Sequence, residues 1–163
     1  DHPNRLTSRI LPGQERIRRV GKILIRKMRK EDAEDVSRID AAITKSPSRL
    51  DFKRVVAEAA KKSRNASFVA EMRGKVVGFM VSTITAGNFG AAQIAWIAMF
   101  GVDPKYMGQE IGKSLAKEIF NYYQEKGVKK IYTSVRWDST DILSFFKTLG
   151  FERSDFFNLR KDL

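Results

Sequence analysis

The run AAQIAWIAMFGVDPKYMGQEIGKSL, residues 91–115, constrains the fold more than any other part of the chain. Its first half is apolar on both alternating faces, a pattern suited to a strand covered above and below. The rest of the chain must therefore supply two covering layers. Pro104 ends the strand, and Gly108 and Gly112 precede a run in which Ile111, Leu115 and Ile119 share one helical face. A buried strand, a glycine turn and a helix start, in that order, can form an anion site. First-turn N–H groups lack intrahelical partners, the dipole end is positive, and glycine lets backbone approach a phosphate closely. A plain turn with Gly112 in the first helical turn is the competing local reading.

Gly108 and Gly112-Lys113-Ser114 nearly spell G-x-x-x-x-G-K-[ST], the phosphate loop of ATPases, but the spacing is one residue short. No apolar strand ends in an acid suited to magnesium; Asp103, the nearby candidate, lies in the same loop. An ATPase loop is therefore disfavoured.

The flanking chain reads as alternating elements. Residues 1–21, with Pro3, Pro12 and Gly13, suggest a loose basic extension ahead of a domain spanning 22–163. KILIRKM (22–28) alternates as a strand does, and KEDAEDVSRIDAAI has acids in its first turn and Ala33, Val36, Ile39 and Ile43 at helical spacing. After a break at Pro47, LDFKRVVAEAAKK repeats the helical pattern. SFVAEMRGKVVGFMVSTI predicts a hairpin about Arg73-Gly74. Beyond the glycine helix come a strand in KKIYTSV, a helix around DILSFFKTL stopped by Gly150, and a last strand in FERSDFFNLRKDL. This order implies an α/β sheet with helices on both faces.

Composition removes several chemistries. There is no cysteine, hence no disulfide, thiolate nucleophile or cysteine-held zinc, and the one histidine, His2, leaves no histidine triad. No metal site is expected. No apolar run approaches the roughly 20 residues of a membrane helix, so a soluble, cytoplasmic protein, monomeric or homodimeric, is the expectation. Residues 1–30 hold ten Lys/Arg against two acids, +8 of the formal +12, which leaves the body mildly basic. Nucleic acid is the weaker reading for that arm, because no aromatic residues interleave its early cations.

Three collinear segments, VDPKYMGQEIGKSL, VRWDSTDILSFFKTLGF (135–151) and the hairpin FVAEMRGKVVGFMVS, resemble the GNAT superfamily of acetyl-CoA-dependent N-acetyltransferases. The resemblance spans 22–163 and implies a mixed, mostly antiparallel central sheet with helices on both faces. It also implies acetyl-CoA as co-substrate and direct attack by an amine acceptor, a small molecule or a protein. Phe100, Gly101 and Val102 would hold the pantetheine arm. Met107, Gly108, Gln109 and Glu110, with Ile111, Gly112, Lys113 and Ser114, would cradle the pyrophosphate, and Ser139 and Phe146 would complete the cofactor surface. The helix pair with its loop ITKSPSRL, the turn AGNFG and the last strands would choose the acceptor.

Departures from the family pattern bear on chemistry. Against the loop form R-G-x-G-I-G, Met107 stands at the arginine and Glu110 at the middle glycine, which brings a negative charge near a pyrophosphate; Gln109 and Lys113 could compensate. Phe146 stands where many members have a tyrosine that protonates the leaving thiolate, so Tyr132, Ser139 or water would serve. The buried strand has no acid, and Trp96 occupies a frequent glutamate position. Glu71, Asp138 and Asp141 are the candidate bases. A non-catalytic acyl-CoA-binding module is the alternative to an enzyme.

Overall fold

A computed structural model describes residues 17–46, 50–61, 66–86, 92–108 and 110–163. The chain divides into two units at the Thr133/Ser134 boundary. The first holds a six-stranded sheet in the order β1-β2-β3-β4-β5-β6. Its strands are β1 (Ile17–Val20), β2 (Ile23–Lys27), β3 (Ser67–Met72), β4 (Lys75–Thr85), β5 (Ile94–Val102) and β6 (Ile131–Thr133). All neighbours are antiparallel except β5 and β6. Helices α1 (Ala33–Thr44), α2 (Phe52–Ala60) and α3 (Ile111–Glu125) cover it, and α4 (Thr140–Thr148) lies in the second unit.

Strand alternation sends side chains to two cores. On one face Val69, Phe79 and Val81 pack with Val36 and Ile39 of α1 and Phe52 and Val56 of α2. On the other, Ile111, Leu115 and Ile119 of α3 are buried. Gly78 sits directly beneath them, and a Cβ added there would stand 2.7 Å from Ile111 Cγ2. The absence of a side chain thus lets the first turn of α3 lie flush on β4. Tyr123, one turn beyond Ile119, ties α3 to the sheet: its hydroxyl lies 2.7 Å from Ser82 Oγ and accepts the Ala66 N–H at 3.2 Å.

The Arg73-Gly74 hairpin forms as expected, with φ of 53° and 76°. Positive φ at both central residues gives the turn a twist that matches the flanking strands. Two expectations change. Residues 17–20, read as part of a loose extension, form β1 and pair with β2, Ile17 opposite Arg26 and Val20 opposite Ile23. Residues 151–163, read as a last strand, contain no strand; Phe156, Phe157 and Leu159 are exposed there instead of alternating into a core. Residues 1–16, the Pro47 break and most of the AGNFG turn lie outside the described residues.

Candidate functional site

The site begins with an interruption in β5. Ala95, Trp96 and Ile97 pair with β6 through Ile131, Tyr132 and Thr133, and the ladder stops there. At the same point the pairing with β4 slips by one residue: Val81 faces Met99, whereas Ser82 faces Ile97. Ala98 is therefore a β-bulge, which bends the strand and re-aims the residues beyond it. From Ala98 to Val102 the strand runs on past β6, Phe100, Gly101 and Val102 included, toward the glycine turn.

That turn is braced from below. The Asp103 N–H donates to Val77 O at 2.8 Å, and its carboxylate accepts the Lys105 N–H and Arg38 Nη1, both at 3.0 Å. Arg38 Nη2 also donates to Val76 O at 2.8 Å, so one α1 side chain links that helix, β4 and the turn. Burial pushes the Asp103 carboxyl up, but the Lys105 N–H and the Arg38 guanidinium outweigh it and hold the group below the usual carboxylate range. Arg38 is missing from the sequence expectations. Its only trace in the sequence is a cation beside the core position Ile39 in an otherwise amphipathic helix.

The turn then opens α3. Gly108 has φ of +80° with open space where a Cβ would be. Glu110 has φ of 60° and ψ of 18°, and its side chain does not cap the helix. The first intrahelical bond runs from the Ser114 N–H to Glu110 O, so helix geometry gives the N–H groups of Ile111, Gly112 and Lys113 no intrahelical acceptor. Glu110, Lys113, Ser114, Arg18 and Lys117 line a small cleft of about 60 Å³. Three cations thus share the cleft with Glu110, and one of them, Arg18, comes from β1 and lies 3.8 Å from the Glu118 carboxylate. Met107 is exposed, and Gln109 lies outside the described residues. Backbone donors, a glycine with open space and nearby cations fit a pyrophosphate.

On the α1/α2 face a cavity of about 560 Å³ opens between α2 and β4, lined by Leu50, Asp51, Arg54, Val55, Glu58, Ala59, Val81, Ser82 and Thr83. It reaches the bulge, because Val81 pairs with Met99 and Thr83 with Trp96. Trp96 in turn stacks on Tyr132, with ring centroids 5.2 Å apart.

The candidate catalytic groups fall in both units, and each is described within its own. The Glu71 carboxylate accepts the Arg26 Nε–H at 2.7 Å, and Arg26 also donates to Asp32 at 2.8 and 2.9 Å. This is a structural counter-ion arrangement, which leaves Glu71 poorly suited to the base role expected of it. Tyr132 lies in the first unit; Ser139 and Phe146 lie in the second. Within the second unit Ser139 is the N-cap residue of α4 with no side-chain cap bond. Phe146 packs edge-to-face against Phe145 and Phe151. Asp138 receives Arg136 at 2.9 and 2.8 Å, which lowers its pKa, and Asp141 is exposed in the first turn of α4. Among the described residues no group of three or more His, Asp or Glu could hold a metal, and no helix is long and apolar enough to cross a membrane.

Comparison with known proteins adds identity to this geometry. Mycothiol acetyltransferase of Amycolatopsis mediterranei is 32% identical over 91 residues, 54% of this chain and 30% of that protein. The chain spans less than half the length of the curated relatives it matches. Among solved structures, AAC(6')-Iy with the bisubstrate analogue CoA-S-monomethyl-acetylneamine superposes with a TM-score of 0.74 at 18% identity, over 86% of this chain and 98% of that one. A ribosomal-protein-alanine N-acetyltransferase from Brucella melitensis biovar Abortus 2308 gives 0.70 at 13% identity, over 86% and 99%. These likenesses show the fold. The sequence profile of the acetyltransferase (GNAT) family matches residues 25–151, most of the chain and every element from the bulged strand to α4, and the chain belongs to that family.

Proposed function

We propose that this chain is an acetyl-CoA-dependent N-acetyltransferase. The observation that carries the reading is the bulged β5 edge, which leaves β6 at Ile97 and runs through the Asp103 brace into the uncapped start of α3. Such an edge suits an extended amide-bearing arm, which can hydrogen-bond to a strand as another strand would. The helix start then suits the pyrophosphate at the arm's end. The cavity at Val81 to Thr83 adjoins the same bulge, so an amine lodged there would approach the thioester.

The reaction forms a C–N bond at the thioester carbonyl and breaks its C–S bond. The amine loses a proton and the departing thiolate gains one. Among the described residues no group at the cavity stands out as a dedicated base, so the main contribution is positioning, worth effective molarities of about 10⁵–10⁸ M in favourable cases. Tyr132 and Ser139 are the proposed proton donors. Acetyl-CoA at about 100 times its dissociation constant should stabilise the fold by about 2.7 kcal/mol, read as a rise in Tm, and thiol should be released when an accepted amine is added. A Tm rise with ATP and magnesium but none with acetyl-CoA or other acyl-CoAs would refute the reading.

A second reading, an acyl-CoA-binding module without turnover, draws on Phe146. Its phenyl ring is packed among two other phenylalanines and has no proton to donate. A lost general acid costs about 10²–10⁴ in rate, which positioning can exceed, so the enzyme reading leads. Acyl-CoA binding with no thiol release across amines and peptides would favour the module.

A further inference from the structure

We infer that the acceptor is a monoamine with an apolar body, and that its hydrocarbon part occupies the cavity between α2 and β4. The inference rests on the N-acetyltransferase reading and deepens it. At about 560 Å³ the cavity has the size of a small-molecule site. The apolar part of its wall is Leu50, Val55 and Ala59 from the α2 side and Val81 from the sheet.

Three of the polar residues around it, Asp51, Glu58 and Ser82, have partners of their own. Asp51 caps its own helix by accepting the Arg54 N–H at 3.3 Å. Glu58 accepts Lys61 Nζ at 2.9 Å and is held below the usual carboxylate range by that bond, by the Lys61 charge and by Arg54. Ser82 Oγ turns to the opposite face of the sheet, onto Ala66 O and the Tyr123 hydroxyl. Arg54 adds a positive charge to the wall.

A polycation entering here would find few carboxylates open to it and one guanidinium opposing it. Each ammonium taken from water without a partner is costly, and the formal net charge of +12 repels a polycation before it arrives. A monoamine avoids both penalties. Its one charge belongs at the bulge, where it is lost in the reaction, and its body gains from leaving water for the apolar wall.

The test is thiol release from acetyl-CoA with matched acceptors, phenethylamine and leucine amide against spermine and kanamycin, using the wild-type chain and Leu50→Ala. Leu50 is 54% exposed, so its truncation leaves the core intact. The expected result is kcat/KM higher by about tenfold or more for the two apolar monoamines, the discrimination a hydrophobic pocket typically provides. In Leu50→Ala their KM rises by about tenfold, while the KM for acetyl-CoA stays unchanged. Preference for spermine or kanamycin, or an unchanged monoamine KM in Leu50→Ala, overturns the inference and leaves the transferase reading standing. Acetyl-CoA binding with no turnover of any of these four amines also overturns the inference; the transferase reading falls only if thiol release is absent across the wider set of amines and peptides as well.

Discussion

The two ends of the proposed site are built from different materials. The donor end, from Ala98 through Asp103 to the start of α3, is made of backbone: a bulge, a braced turn, a glycine at φ of +80° and uncapped N–H groups. The acceptor end is made of side chains on α2 and β4 around a cavity. Backbone geometry depends on the whole fold, so the donor end should fail when its packing fails. Side chains at a cavity rim can be exchanged without disturbing the sheet, so the acceptor end should change selectivity while the fold holds.

The largest expected effect tests that division. In Gly78→Ala the new Cβ meets Ile111 Cγ2 at 2.7 Å and Leu115 Cδ1 at 3.3 Å, so the first turn of α3 must lift. Overpacking of this kind costs up to about 3 kcal/mol, and acetyl-CoA affinity should fall with Tm. Unaltered acetyl-CoA affinity in a destabilised Gly78→Ala would break the comparison, because the donor end would then not depend on how α3 is seated.

Asp103→Asn comes next, at about 2 kcal/mol for hydrogen bonds to a charged group, a modest figure because the Arg38 side chain is partly exposed. The carboxyl is held below its ordinary value in the fold. Its stabilisation is therefore fully present above the unfolded value of about 4 and is lost as pH falls through the lower folded value. Denaturant titrations from pH 7 to pH 2 should show wild type and variant converging below about pH 4. A gap independent of pH would mean that the charge is not what holds the turn.

The contrast between the two ends also explains what the sequence made legible. An apolar run ending in VDP, then Gly108 and Gly112, points to the proposed donor end because backbone geometry needs particular residues at particular spacings, although β5 is only partly buried, with Ala98 exposed, and not covered along both faces as its sequence suggests. The Arg73-Gly74 turn was legible for the same reason. Edge strand β1 was hidden because its side chains are largely exposed, so burial writes no apolar alternation there and only pairing with β2 defines it. The expected last strand is absent, and its sequence carries no strand alternation, since Phe156 and Phe157 are adjacent and both exposed. The cavity was invisible because Leu50, Val55 and Val81 are ordinary apolar residues until α2 lies over β4. Glu71 looked available because its partner, Arg26, is 45 positions away in the chain.

Glu71→Gln turns that last point into a measurement. Loss of a charged partner from Arg26 should cost about 1.5 kcal/mol and leave the pH dependence of kcat unchanged. Loss of turnover with the fold intact would return Glu71 to the site as a base.

The smallest effect concerns Glu110, where backbone and side chain meet in one residue. Its φ of 60° costs a non-glycine residue about 1 kcal/mol, partly offset in a glycine variant by the freer unfolded chain. Glu110→Gly should therefore raise Tm by at most about 2–4 °C, whereas Glu110→Ala, which keeps the strain, should not. All three variants Glu110→Gly, Glu110→Ala and Glu110→Gln remove a negative charge from the start of α3, in the cleft that Arg18, Lys113 and Lys117 also line. They should share a small gain in acetyl-CoA affinity that fades with added salt. A shared loss of affinity would mean that the carboxylate organises those cations for the ligand, making the donor end dependent on side chains as well as backbone.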